Sequence, residues 1–249
     1  MGIIEAIQTA ELSASIINGG LQKYIDLIND NIHPPVPVAA DDVLIRAMYI
    51  INDSINSYGG KFDRVDLPRI AALFIDSPVL IGHDKSGLPV ARNFWAETVE
   101  KDDKLWIKSY FYWLKKSDTA DRLKLNIDSG IHKECSVSFT YNLPECSACG
   151  QDIRYCGHQV SQDVHFIYRG VEKILETSLV YRGSIPDTHL TDRLSAAQDS
   201  QAKDDSNPRR TGQFTLTPYV YAAANSARRG RAIGFKARIG DTEFFLARD

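Results

Sequence analysis

The sequence has no long apolar run, no strong charge of either sign and few cysteines, and each shortage removes a class of protein. No hydrophobic stretch approaches the roughly 20 residues that a membrane-spanning helix needs. The N-terminus "MGIIEAIQTAELSASI" has neither the basic start nor the long apolar core of a secretion signal, so a cytoplasmic protein is expected. A formal net charge of -3 over 249 residues gives no general attraction to nucleic acid or an anionic membrane. The locally basic "SARRGRAIGFKAR" reads as a solvated turn between strands. Four cysteines in a chain with no sign of export point to reduced thiols or a metal site ahead of disulfides.

What is present reads as an α+β chain. Residues 1–34 form an N-terminal helical segment in which Leu21, Tyr24, Ile25, Leu27 and Ile28 make one apolar face, and the prolines of "HPPVPVAADD" end it. From there the pattern turns to strands. "DVLIRAMYIINDS" is a buried strand, and "VDLPRIAALFIDSP" a short helix with Asp66 as its cap. "PVLIGHD" is a short strand, and residues 90–113 form a hairpin around Lys101 to Asp103. "SDTADRLKLNIDSG" is a helix capped by Ser117 or Asp118, with Leu123 and Ile127 inward and Gly130 as its stop. "VHFIYRG" and "EKILETSLVYRG" read as two further strands, after which "IPDTHLTDRL" leaves the sheet. Residues 193–212 have the composition of a flexible linker, and 213–249 that of a small β-rich segment whose end at Asp249, within an apolar pattern, suggests truncation or processing.

One loop carries a metal-ligand pattern. "CSACGQDIRYCGH" spaces Cys146, Cys149, Cys156 and His158 as C-x2-C-x6-C-x-H, with glycines after two of the cysteines. Three thiolates and an imidazole within one short loop suit tetrahedral Zn²⁺, and four protein ligands would close the coordination sphere, so a structural zinc knuckle at 146–158 is expected. The alternative is a set of free loop thiols.

A second stretch, "HKECSVSFTY", sets Cys135, Val137, Phe139 and Tyr141 on one strand face and Ser136, Ser138 and Thr140 on the other. Cys135 is assigned to the core. Ser136 is the candidate nucleophile, provided that His83 and an acid meet it in space: the imidazole would take the serine proton and the acid would orient and stabilise the imidazole. Spacing alone does not bring them together, and His33, His132, His165 and His189 all have ordinary structural explanations.

"DSPVLIGHD", then a hairpin and a helix, then "ECSVSF" and finally "ILETSLV" resemble the signature blocks of the tailed-phage prohead maturation serine proteases, relatives of herpesvirus assemblin. The likeness covers roughly residues 43–190 and implies a serine protease domain over 43–192. It implies His83 as general base, Ser136 as nucleophile and Glu176 as the orienting acid, with Glu172, just before the block, as the alternative third member. It also implies a mostly antiparallel β-barrel or half-barrel with flanking helices, the serine and histidine lying on adjacent strands. Such an enzyme hydrolyses peptide bonds of the scaffold or of the capsid delta domain, and often of itself, inside the immature phage head in the host cytoplasm. Its partners would be the major capsid protein and the scaffold precursor, with a homo-oligomer possible and nucleic acid not expected. Ser138 departs from the family, which has glycine there, and the cysteine knuckle is an insertion. Ser138 keeps open a catalytically silent scaffolding relative, and the Arg-rich tail a zinc-knuckle nucleic-acid-binding protein.

Overall fold

The computed structural model describes residues 20–194, together with the backbone of two strands beyond them. The first helix, α1, covers residues 20–32. Next come β1 (Val43–Asn52), β2 (Gly60–Lys61), a 3-10 turn (Arg64–Asp66), α2 (Leu67–Ala72) and β3 (Pro78–Ile81). The hairpin of β4 (Ala91–Lys101) and β5 (Lys104–Leu114) precedes α3 (Ala120–Asp128). The chain then runs through β6 (Glu134–Cys146), β7 (Phe166–Val180) and β8 (His189–Thr191). A separate unit contains β9 (Phe235–Ile239) and β10 (Thr242–Leu246), an antiparallel pair within the expected β-rich segment. Residues 1–19 of the expected helical segment and 195–212 of the expected linker lie outside the described residues.

The strands make one curled, mixed and mostly antiparallel sheet in the order β2-β7-β3-β4-β5-β1-β8, with β6 also paired to β7. Its curl brings the far ends back together as a half-barrel: Leu190 N on β8 donates to Lys133 O just before β6 at 3.1 Å. The fold class is therefore α+β, with few helices.

Strand β1 reads as a nearly continuous apolar run because both of its faces are covered. Val43, Ile45 and Ala47 turn to a cluster with Ile25 and Ile28 of α1, Phe94 and Tyr110. Met48, Ile50 and Ile51 turn to the larger core with Phe62, Leu67, Phe74, Phe111 and Leu123. Ile28 is fully buried, and each such side chain stabilises the fold by about 1.5–3 kcal/mol. The apolar stripe of α1 is thus spent on this sheet. Among the described residues, no helix is long and apolar enough to cross a membrane.

Several expectations change at the level of single elements. "VHFIYRG" and "EKILETSLV" form one strand, β7, because Gly170 adopts φ 64 within the strand without ending it. "IPDTHLTDRL" does not leave the sheet, since His189–Thr191 pairs antiparallel with β1. Asp66 stands at the N-cap position of α2 but makes no capping bond; Asp63 instead accepts from Val65 N at the start of the 3-10 turn. Thr119, rather than Ser117 or Asp118, precedes α3, whose Leu123 and Ile127 are buried as expected.

Candidate active site and metal centre

Three neighbouring strands build the first site. β3 runs parallel to β7, with Val79, Leu80 and Ile81 beside Thr177, Ser178 and Leu179. On the other side of β7, β6 runs antiparallel and sets Ser136 opposite Ser178 and Ser138 opposite Glu176. Side chains at directly opposed positions share a face, so Ser136, Ser138, Glu176 and Ser178 stand together on one side. Cys135 and Leu179 turn to the other side and are buried in the core, where burial pushes the Cys135 thiol well above its usual range.

A register shift between Ser138 and Phe139 makes this grouping possible. It leaves Leu175 as an extra residue on β7, so that Ile174 points into the core while Glu176, only two residues on, points to the site. A bulge of this kind re-aims a side chain while bending the strand locally. Glu172 is exposed, whereas Glu176 is 1% exposed.

His83 reaches Glu176 through a turn. Asp84 N donates to Ile81 O at 3.2 Å, with Gly82 at φ 63 and His83 at φ 60, two successive left-handed residues as in a type I′ turn. Glycine adopts this conformation freely, but histidine does so at a cost of order 1 kcal/mol. Two contacts hold His83 there: its backbone N–H donates to Ser178 Oγ at 2.8 Å, and its Nδ1 lies 2.7 Å from Glu176 Oε1. When Glu176 is ionised its carboxylate only accepts, so Nδ1 carries the proton, and in the neutral ring Nε2 is then the acceptor. The imidazole is 38% exposed, which leaves its other edge open to a reactant. The second oxygen of Glu176, Oε2, is buried without a hydrogen-bond partner.

The structure therefore gathers His83, Glu176 and Ser136 around β7, but the serine and histidine are not on adjacent strands. β7 lies between β6 and β3, and the turn after β3 carries His83 back across it. No hydrogen bond to the Ser136 hydroxyl is formed among the described residues. Beneath the site, Asn93 Nδ2 donates to Thr177 Oγ1 at 2.8 Å and to Ser77 Oγ at 2.9 Å, while Ser109 Oγ donates to Asn93 Oδ1 at 2.9 Å. This buried network locks Thr177, and hence its neighbours Glu176 and Ser178, against β4 and β5. Asn93 carries no signal in the sequence, since β4 mixes polar and apolar residues throughout.

The second site lies at the other end of β6. Cys146, Cys149, Cys156 and His158 bring their ligand atoms within 4.8 Å of one another, so the four could hold a metal ion. Gly150 at φ 73 turns the chain after the first pair, with its N–H donating to Cys146 O at 2.8 Å. Cys156 N donates to Asp152 O and Ile153 N to Pro144 O, both at 3.0 Å, which folds the second pair back beside β6. Burial alone would raise the Cys146 thiol, but the N–H groups of Ala148 and Cys149 and the neighbouring sulfurs hold it below the usual range. The Cys156 thiol moves the other way: the His158 N–H lowers it, but burial and the Cys146 and Cys149 sulfurs outweigh that and push it up, so the clustering of the ligand atoms is what makes this a candidate metal centre. No family model, no curated protein and no solved structure matches the chain.

Proposed function

We propose that the chain is a serine endopeptidase of the prohead-maturation type, assemblin-like in fold, acting on scaffold or capsid delta-domain precursors and on itself inside an immature phage head. The observation that supports this most is the buried Glu176 carboxylate 2.7 Å from His83 Nδ1, with Ser136 one strand away on the same face. The order and chemistry of the three sequence blocks point the same way.

In this reading Ser136 Oγ attacks the scissile carbonyl carbon and its proton passes to His83 Nε2. Glu176 keeps the proton on Nδ1, so that Nε2 is free to accept, and stabilises the imidazolium that results. Collapse of the tetrahedral intermediate breaks the C–N bond, and His83 Nε2–H delivers the proton to the leaving amine. Water then repeats the sequence on the acyl-enzyme and releases Ser136. Cys146, Cys149, Cys156 and His158 would hold a structural Zn²⁺, which would cross-link their loop and take no part in hydrolysis.

A silent scaffolding relative is favoured by one feature, the unengaged Ser136 hydroxyl. Incubating the full chain and its Ser136→Ala variant with the cognate capsid precursor, and reading products by intact mass, separates the two. Cleavage by the wild type alone is expected. Cleavage that survives Ser136→Ala removes the nucleophile assignment, and none by either protein favours the silent relative.

A further inference from the structure

The block "ETSLV" contains three consecutive polar side chains that point to different tasks. Glu176 bonds the imidazole, Thr177 turns inward to Asn93, and Ser178 accepts from the His83 backbone N–H at 2.8 Å. Ser178 is completely buried and lies directly opposite Ser136. Through this bond a side chain of β7, the strand lying between the two proposed reacting groups, holds the His83 main chain.

We propose that Ser178 is a positioning residue that holds His83 in its left-handed turn conformation and so aims the imidazole at Glu176 on one side and Ser136 on the other. Histidine at φ 60 is disfavoured, and although Asp84 N donates to Ile81 O at 3.2 Å and Gly82 N to Leu179 O at 2.9 Å, neither of these bonds engages the His83 main chain itself. Without the Ser178 oxygen, the His83 N–H loses its acceptor and the backbone is free to relax toward negative φ. That relaxation swings the ring away from a carboxylate fixed on β7. This inference rests on the peptidase reading for its catalytic consequence but not for the conformational one.

The experiment therefore has two arms. In the first, the full chain carrying Ser136→Ala is labelled with ¹⁵N, and the His83 ring tautomer and Nδ1 proton are observed with Ser178 intact, Ser178→Ala or Ser178→Thr. The expected result is a single Nδ1–H tautomer with a strongly downfield proton when position 178 bears a hydroxyl, and tautomer averaging with loss of that proton in Ser178→Ala. In the second arm, precursor cleavage by otherwise wild-type chains is expected to show kcat lowered about 10- to 100-fold by Ser178→Ala, KM within about twofold, and recovery in Ser178→Thr. If Ser178→Ala proves unfolded, Ser178→Thr and Ser178→Val replace it, since they crowd the site alike and differ in the oxygen. A downfield Nδ1 proton retained without the hydroxyl overturns the proposal, as does equal kcat in the Thr and Val variants. Absence of cleavage by the wild type counts against the peptidase reading alone, because the first arm still decides the role of Ser178.

Discussion

At the scale of single residues, the two candidate acids have different fates, and the difference is testable. Glu172 is exposed, whereas Glu176 is buried against His83 with one oxygen lacking a partner. A buried carboxylate whose hydrogen bonding is half complete is a poor contribution to stability. Glu176→Gln presents an amide to Nδ1. The amide N–H can donate there and draw the ring into the tautomer protonated at Nε2, which cannot accept the serine proton. Expected are a kcat lower by about 10³- to 10⁴-fold, a nearly unchanged KM, and a thermal midpoint that is equal or higher. Glu172→Gln should leave all three within about twofold of wild type. Initial rates on a precursor peptide and a melting curve decide it, and equal losses in the two variants would sink the assignment of Glu176.

At the scale of elements, legibility followed the strength of local signals. The β4–β5 hairpin was readable because arms rich in aromatic and β-branched residues flank a short polar turn, and Asp102 and Asp103 indeed adopt φ 52 and 61. The continuity of β7 was not, because a glycine within a strand looks like punctuation. Here Gly170 faces Asn142 so closely that an added Cβ would stand 2.8 Å from its Nδ2. The three-residue β8 is too short to show a period at all. Ion pairing between elements was equally invisible: Arg169 of β7 bonds Asp63 before the 3-10 turn at 2.6 Å and Glu145 of β6 at 3.2 Å. The hydrogen bond from Arg169 holds the Asp63 carboxyl below its usual range, more than offsetting partial burial. A lowered folded value means stabilisation that is complete above the unfolded pKa near 4 and is lost as pH falls through the lower folded one. Arg169→Leu should therefore lower the thermal midpoint at pH 6, and the gap from wild type should narrow below about pH 4. A gap that stays constant down to pH 3 would show that Arg169 acts through packing and not through Asp63.

At the scale of the whole molecule, the same strand carries both candidate sites, Ser136 near its start and Cys146 at its end. The sequence blocks showed which residues to compare, but not that parallel pairing of β3 with β7 would bring together His83 and Glu176, 93 residues apart. Such long-range pairing leaves no local trace. The two ends of β6 are held in different ways. Around Ser136, the strand is anchored by Cys135, Leu179 and Val79 in the main core. Between Cys146 and Phe166, none of the intervening residues is buried, so the excursion has no core of its own and depends on short backbone bonds and the Cys/His cluster. Removing the metal should thus be a local event. Purified Ser136→Ala chain is expected to contain about one equivalent of Zn²⁺, and Cys146→Ser plus Cys149→Ser less than about half. After chelation, hydrogen exchange should accelerate across residues 147–165 and leave 134–138 and 176–180 protected. Precursor cleavage by the wild type should persist in chelator, because no step of the proposed hydrolysis passes through the metal. Unaltered exchange in the loop would show that the four residues do not depend on an ion. Loss of protection at 134–138 as well would make the cluster a clamp on all of β6, and would place Ser136 under the control of a metal bound at the opposite end of its own strand.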